Sequence, residues 1–317
     1  MTSRPHDALF RSAFEDPLHA SAEARLVLPR ALAGAIDWRT TRLESGSFID
    51  EALADSQSDL LFSAAIGRRR VLIYLLLEHQ STVDRNMPLR MLSYMVRIWQ
   101  RYQKEKRRRS LPAIIPLVVV HAGSRRAGPT RMHELVIPRP DRVVGLPELV
   151  PSFRIIVDDI SAATDAQLRA RALAAFPKLV LWLLRESRRR GKLLRGLPQW
   201  ADAFHAVATA PGGIVAMHRV LRYLDFVLGE QRFERARDIL RNLSSATENA
   251  VVTYTERVQA ESRVATQREI LLKQLALKFG ALDEEIVDRV RSADPTSIEM
   301  WLERFVAATQ LDAVFGS

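Results

Sequence analysis

The stretch Asp59-Leu-Leu-Phe-Ser-Ala-Ala-Ile66, Gly67-Arg-Arg-Arg70, Val71-Leu-Ile-Tyr-Leu-Leu-Leu77 decides the fold class of this chain. Two apolar runs flank a short polar segment that begins with glycine, which is typical of a β-hairpin. The second run is apolar without alternation, which indicates a strand covered on both faces. We therefore predict a central sheet with helices on each side.

Further segments extend this sheet and cover it. Residues 39–50 look extended, and strands are indicated at 114–120 and 153–158, with Pro116 marking a bulge or a sheet edge. Residues 86–104 return to a helical period, and their apolar stripe indicates a helix that packs on the sheet. The predicted fold class is α/β, with a mixed central sheet flanked by helices.

The composition favours a negatively charged partner. Lysine and arginine total 47 against 37 acidic residues, a formal net charge of +10, which attracts polyanions such as nucleic acid. Charge alone leaves an anionic membrane surface or simple solubility open as alternatives. The chain has no cysteine, which excludes disulfides, thiolate nucleophiles and cysteine zinc sites and fits a reducing cytosol.

The sequence predicts a cytoplasmic protein with no membrane-spanning segment. The N-terminus carries Arg4, His6 and Asp7 where a signal peptide needs an apolar run. No stretch approaches the roughly 18 consecutive apolar residues of a spanning helix.

The rest of the chain is predicted to be largely helical. Apolar positions recur at helical spacing after about residue 163, and Asp294-Pro295 marks a helix start. Residues 123–151, rich in Pro, Arg and Gly, form a long surface segment that either faces DNA or is flexible. We expect a core at 1–165, a helical extension at 166–245 and a C-terminal helical module at 246–317.

Two acids at the ends of the predicted hairpin are candidate reactive groups. With the turn centred between Arg68 and Arg69, Asp59 pairs with Glu78, and opposed residues hold their Cβ atoms roughly 4.5 to 5.5 Å apart. Gln80 shares the face of Glu78, because side chains alternate along a strand. Unless one of them is protonated, two like charges this close need a cation, and Mg²⁺ or another divalent ion would also activate water for phosphodiester hydrolysis. The alternative is that both acids simply face solvent at the edge of the sheet.

The helix after the hairpin offers a surface for phosphates. One of its faces carries Arg90, Tyr94, Arg97 and Arg101. Arginines with an aromatic side chain among them can hold nucleic-acid phosphates, although a solvated helix face is the alternative. Asp50 and Glu51 are additional candidates near the metal, for which a solvated loop is the other interpretation.

Four runs of residues together resemble a known family: Glu44-Ser-Gly-Ser-Phe-Ile-Asp-Glu51, Ser58-Asp59-Leu-Leu-Phe, Tyr74-Leu-Leu-Leu-Glu78-His-Gln80-Ser and Pro88-Leu-Arg90-Met-Leu-Ser-Tyr94-Met. They look like the Rpn family of bacterial recombination-promoting nucleases, also described as transposases, within the PD-(D/E)XK superfamily. The resemblance covers roughly residues 6–245 and is densest from 40 to 125. The segment from Gln267 onward resembles a helical domain of unknown function often attached to such proteins.

The resemblance implies a restriction-endonuclease-like core and a metal-dependent DNA endonuclease that promotes recombination or transposition. Asp59 would match the motif aspartate, Glu78 the following acid and Gln80 the position usually held by lysine. A lysine there is thought to orient the attacking water, whereas Gln80 can only hydrogen-bond. Arg90 and Tyr94 are spaced like the Gln-x-x-x-Tyr element of RecB-like nucleases, with arginine in place of glutamine.

Two other functions remain compatible with the sequence. Gln80 in place of lysine fits a nuclease scaffold that has lost its chemistry and acts as a DNA-binding or assembly module. Alternatively, the C-terminal helices are the functional part and mediate homo-oligomerisation or partner binding.

Overall fold

A mixed five-stranded sheet forms the centre of the N-terminal part of the molecule. The computed structural model describes residues 5–44, 60–78, 84–106, 110–121 and 128–316. The strands are β1 (Ile36–Leu43), β2 (Leu60–Ile66), β3 (Arg69–Glu78), β4 (Ala113–Val120) and β5 (Ile156–Asp159). They lie side by side in chain order, and pairing is antiparallel from β1 to β3 and parallel from β3 to β5.

The predicted hairpin is confirmed, but its predicted register is wrong by two residues. The turn consists of Gly67 and Arg68 alone, and Gly67 adopts a φ of +58° that glycine reaches without strain. Leu60 pairs with Leu75, whereas the prediction pairs it with Leu77. The difference arises because a tight hairpin needs only two turn residues, so the two arginines after the turn belong to β3. A shift of two residues keeps every side chain of the paired strands on its predicted face.

The parallel strands β3 and β4 form the middle of the sheet. Their pairing runs without interruption to the C-terminal end of both strands, where Glu78 pairs with Val120. Pro116 causes no bulge in this ladder, and it lies one residue before β4 begins to pair with β5 at Leu117. At Pro116, β4 therefore pairs only with β3. This is the situation of a strand at the edge of a sheet, where proline is tolerated.

Helix α4 (Met87–Lys106) covers one face of the sheet. Its buried stripe packs against Leu72, Tyr74 and Val118 of the sheet, and the stripe consists of Met87, Met91, Met95, Ile98 and Tyr102. This confirms the predicted packing of this helix.

The N-terminal helices are α1 (Pro5–Phe14), α2 (Pro17–Val27) and α3 (Arg30–Ala35). Ala20 of α2 lies beside Phe62, Ile73 and Leu117 of the sheet. These sheet residues alternate with those that contact α4, so α2 covers the opposite face. Helices on both faces explain why β3 lacks polar alternation.

The chain after β5 is helical, as predicted. The helices of this part are α5 (Asp165–Arg169), α6 (Ala175–Glu186), α7 (Arg190–Gly196), α8 (Ala201–Thr209), α9 (Gly213–Leu228) and α10 (Glu230–Arg241). α5 and α6 are separated by residues 170–174, and within this break Arg171 pairs with Asp158. Between β4 and β5, the described residues contain short 3-10 helices at Met132–Leu135, Pro140–Arg142 and Leu146–Glu148.

Contacts divide the chain into two units, residues 1–250 and 251–317. Four helices follow α10, namely α11 (Ser245–Phe279), α12 (Glu284–Ser292), α13 (Pro295–Ala307) and α14 (Leu311–Phe315). The second unit has its own core, in which Trp301 meets Phe315 edge-on at 4.9 Å between ring centroids. Asp294 caps α13 by accepting from the Ser297 amide at 3.0 Å, as the Asp-Pro pair predicts.

The fold class is therefore confirmed as a mixed sheet flanked by helices and followed by a largely helical C-terminal half. Within the described ranges, none of the helices combines the length and apolarity that crossing a bilayer requires.

Candidate functional site

The carboxyl ends of the three parallel strands meet at one edge of the sheet. Glu78, the last residue of β3, pairs with Val120, the last residue of β4, and Val120 in turn pairs with Asp159 of β5. Asp159 is already engaged, since its Oδ1 accepts from the amide and hydroxyl of Ser161 at 2.9 and 2.6 Å. Glu78 therefore stands at the carboxyl edge in the middle of the sheet.

Two contacts establish the direction of α4 across this sheet. Trp99 donates from Nε1 to the carbonyl oxygen of Pro112 at 2.8 Å, immediately before β4 begins. Nearer the helix start, Tyr94 packs edge-on against Tyr74 of β3 with 5.6 Å between ring centroids. Because the later part of α4 lies at the start of β4, its first turns, including Arg90, lie toward the carboxyl edge.

Arg90 is held at the start of α4 by an acidic partner. Its Nη1 lies 3.3 Å from Oδ2 of Asp84, and Oδ1 of the same aspartate accepts from the Asn86 amide at 2.8 Å. Both side chains of the ion pair are about one quarter exposed. The guanidinium is thereby restrained beside the first turn of the helix, where it remains accessible to solvent.

The four residues predicted to form a basic helix face do lie along one flank of α4. Each precedes a member of the buried stripe by one position, so the flank borders the packed surface. Arg97 is exposed, Tyr94 is half-buried, and Arg101 forms an ion pair with Glu105 at 2.8 Å. Arg97 thus presents its positive charge to solvent one turn beyond Tyr94, whereas the charge of Arg90 is partly balanced by Asp84.

Several predicted site residues lie outside the described part of the chain, namely Asp50, Glu51, Asp59 and Gln80. For Glu78 the structure describes the backbone and its pairing, while the side chain falls outside that description. Among the described residues, no group of three or more histidines and acids could hold a metal ion. The predicted direct pairing of Asp59 with Glu78 rests on a register that the Leu60–Leu75 pair shows to be wrong, so the register no longer supports it. The assignment of Asp59 and Glu78 as metal ligands stays a prediction.

The structure also shows a buried charged cluster that the sequence interpretation missed. Arg171 donates to both carboxylate oxygens of Asp158 at 2.6 and 2.8 Å and to Glu23 of α2 at 2.9 Å. Glu23 is fully buried, and burial, together with the nearby charge of Asp158, raises the pKa of Glu23 well above its ordinary value. Burial lowers the pKa of Arg171, but its two acidic partners outweigh this and leave it raised. The cluster ties α2 to β5, and its sequence signal is the pair Asp158-Asp159 after the apolar residues Ile155 to Val157.

Comparison with known proteins identifies the relatives of this chain. The model of the family described as "Putative transposase, YhgA-like" matches residues 4–212. The recombination-promoting nuclease RpnD of Escherichia coli O157:H7 is 39% identical over 128 residues, which cover 40% of this chain and 49% of that protein. RpnA of Escherichia coli strain K12, of the same description, is 36% identical over 120 residues, covering 38% of this chain and 41% of that protein.

Other relatives are described as inactive. The inactive recombination-promoting nuclease-like protein RpnE of Escherichia coli strain K12 is 35% identical over 120 residues, which cover 38% of this chain and 40% of that protein. The matched region spans about half or less of the length of each of these three relatives. No solved structure matches the chain.

Proposed function

Because this chain belongs to the family described as "Putative transposase, YhgA-like", we propose that it is a metal-dependent DNA endonuclease that hydrolyses phosphodiester bonds. The names of its relatives support a nuclease role at a general level. One structural observation carries the proposal to particular residues: Glu78 ends a central strand at the edge toward which Arg90 and Tyr94 lie.

Acidic residues at this edge would suit a divalent cation. β2 and β3 are antiparallel, so the start of β2 and the end of β3 lie at the same edge of the sheet. Asp59 directly precedes β2 and Glu78 ends β3. Carboxylate oxygens are the ligands that Mg²⁺ prefers. A bound Mg²⁺ would lower the pKa of a water molecule and stabilise negative charge on the phosphate.

The other residues have supporting roles in this proposal. Gln80 orients the attacking water through hydrogen bonds, since its amide cannot carry charge. Arg90 binds a phosphate oxygen of DNA from its position against Asp84, and Tyr94 lies one helical turn away on the same flank. Arg97 and Arg101 contact the DNA backbone farther along α4.

A plasmid-nicking assay tests the proposal. Supercoiled plasmid is incubated with purified protein in Mg²⁺ and, in parallel, in an excess of EDTA. We expect conversion to the open-circular form in Mg²⁺ alone. Equal conversion in EDTA, or equal conversion by Glu78→Ala protein, would remove the metal site from the proposal.

A second function is a catalytically weak or inactive DNA-binding module. Two observations favour it: a relative is named as inactive, and Gln80 stands where the resembled motif has lysine. This module would bind DNA with a strong dependence on salt, because phosphate contacts release counterions. It would show no cleavage in any divalent cation, and its DNA binding would be unchanged by Asp59→Ala.

Two further features complete the proposal. The first is its location and partner: we place the protein in the cytoplasm, with DNA as its partner. The second is homo-oligomerisation, which we assign to the C-terminal helices after residue 246. Light scattering on the full-length protein at two concentrations measures the mass and tests the second assignment. A monomer mass at both concentrations would contradict it.

A further inference from the structure

We propose that a pocket between the segments 131–133 and 152–154 is a phosphate-binding site, occupied by a backbone phosphate of nucleic acid. The pocket has a volume of about 200 Å³, and its lining residues are Arg131, His133, Ser152, Phe153 and Arg154. The choice of nucleic acid as the source of the phosphate rests on the proposed function. The phosphate chemistry itself follows from the pocket alone.

Two arginines face each other across this pocket. Arg131 and Arg154 are partners in an isolated antiparallel bridge. The flanking hydrogen bonds run from the Met132 amide to the Phe153 carbonyl at 3.2 Å and from the Ile155 amide to the Thr130 carbonyl at 2.9 Å. Arg131 and Arg154 are therefore a non-hydrogen-bonded pair, the type in which opposed side chains approach most closely.

Within the part of the chain that the structure describes, no carboxylate forms an ion pair with either guanidinium. The acid nearest in sequence, Glu134, uses Oε2 to accept from the amides of Thr130 at 2.8 Å and Arg131 at 3.4 Å. Like charges directly opposed on two strands destabilise the pair. An anion between Arg131 and Arg154 removes that repulsion, and a guanidinium binds phosphate through two parallel N–H groups.

Three further side chains line the pocket. His133 is half-buried, and its Nε2 lies below the accessible surface, where it has no hydrogen-bond partner among the described residues. Ser152 supplies a hydroxyl donor, and Phe153 forms an apolar wall that packs against the core beneath α4.

The pocket lies on the side of the sheet that α4 covers. Ile155, which directly follows Arg154, belongs to the same buried cluster as Ile98 and Tyr102 of α4. The short helix Met132–Leu135, which follows Arg131, also contacts α4. A nucleic acid bound along the flank of α4 thus gains a further phosphate contact from this pocket.

The test compares two double variants of equal charge loss. The first is Arg131→Gln with Arg154→Gln. The control is Arg139→Gln with Arg142→Gln, two exposed arginines of the same segment that do not line the pocket. Affinity for a fluorescein-labelled DNA duplex is measured by anisotropy in EDTA, so that cleavage plays no part, and at several salt concentrations.

We expect the pocket variant to weaken duplex binding by about tenfold or more and to reduce the slope of log Kd against log salt by roughly 0.9, one phosphate contact. The control should weaken binding by less than about threefold. Equal weakening by both variants would show a mere effect of net charge and would overturn the proposal.

Calorimetric titration with inorganic phosphate separates the two sources of the ligand. In one outcome, only the pocket variant loses phosphate binding while the DNA affinity of all proteins is unchanged. This result would support a phosphate site but assign it to free phosphate, and it would overturn nucleic acid as the occupant. If neither the phosphate affinity nor the DNA affinity differs between the pocket variant and the control variant, the proposed site is overturned. A protein that binds DNA through the pocket but never nicks plasmid in Mg²⁺ contradicts the endonuclease proposal alone.

Discussion

Trp99 donates a hydrogen bond from its indole nitrogen to the carbonyl oxygen of Pro112 at 2.8 Å, which holds the later part of α4 against the start of β4. This contact, with the ring contact between Tyr94 and Tyr74, determines which end of α4 points to the carboxyl edge of the sheet. It follows that Arg90 lies toward the edge at which Glu78 ends β3.

Trp99→Phe should lower the free energy of unfolding by about 1 to 2 kcal/mol, because it leaves the Pro112 carbonyl unpaired and removes part of a packed ring. It should also weaken DNA binding, since α4 carries the proposed phosphate contacts. Trp38→Phe is the control, because its indole makes a similar 2.8 Å bond to Ala33, away from α4. Urea unfolding and DNA anisotropy are the measurements. Weaker DNA binding by both variants would contradict the role given to α4.

The buried cluster of Glu23, Asp158 and Arg171 predicts a pH dependence of stability. Burial raises the pKa of Glu23 above its ordinary value of 4.5. Between pH 4.5 and this raised pKa, Glu23 therefore binds a proton in the folded protein that it releases in the unfolded chain. The contribution of Glu23 to stability is therefore complete below pH 4.5 and is lost as the pH rises through its raised pKa in the folded protein. Glu23→Gln should flatten this dependence, because an amide does not titrate. The amide can still donate to Asp158 and accept from Arg171, so the cluster should stay intact.

Urea unfolding of the wild type and Glu23→Gln from pH 5 to pH 9 measures this effect. We expect the variant to gain stability relative to the wild type as the pH rises. Parallel curves over the whole range would contradict the raised pKa of Glu23.

Arg171→Gln, which leaves two buried acids without their cation, should lower the free energy of unfolding by about 3 to 5 kcal/mol at neutral pH.

Much of the fold could be predicted from local patterns. The hairpin, the buried β3 and the stripe of α4 each follow from a periodicity within one segment, and the Asp294 cap follows from two adjacent residues. The register of the hairpin could not, because a polar run of Arg68 to Arg70 does not reveal where the turn ends and the strand begins.

The candidate site was predictable only in part, for a related reason. Arg90 and Tyr94 lie on a long regular helix, so their shared flank follows from spacing alone. The pairing of Arg131 with Arg154 and that of Glu23 with Arg171 join residues far apart in sequence. Tertiary packing creates these contacts, and no local pattern indicates them.

A pair of glycines in α7 tests the packing of the helical part. A Cβ atom at Gly196 would lie 2.7 Å from Cζ2 of Trp182, whose ring stacks on Trp200 at 5.1 Å between centroids. Gly196→Ala should therefore destabilise the protein by about 1 to 3 kcal/mol. At Gly191 the nearest atom would be Nη1 of Arg195 at 3.7 Å, so Gly191→Ala should stabilise by roughly 0.5 to 1 kcal/mol.

Thermal unfolding followed by tryptophan fluorescence measures both substitutions. Opposite shifts of Tm are expected. A lower Tm for Gly191→Ala, or an unchanged Tm for Gly196→Ala, would contradict the described packing around Trp182.

Gln80 is the residue at which the proposed chemistry departs from the resembled motif. If Gln80 orients the water beside Asp59 and Glu78, Gln80→Lys should raise the rate of plasmid nicking by about tenfold or more, because lysine adds a charge and a proton donor. Gln103→Lys on the exposed side of α4 adds the same charge elsewhere and is the control. An equal gain from both substitutions would indicate tighter DNA binding rather than chemistry.

The most direct measurement is the nicking rate of Asp59→Asn protein in Mg²⁺ at saturating protein concentration, beside the wild type and Asp55→Asn. The substitution removes one negative charge with little change in size, so binding to DNA should be retained. We predict that Asp59→Asn loses at least about a hundredfold in rate, while Asp55→Asn cleaves like the wild type. Cleavage by Asp59→Asn at the wild-type rate would contradict a metal-dependent site built on Asp59 and Glu78.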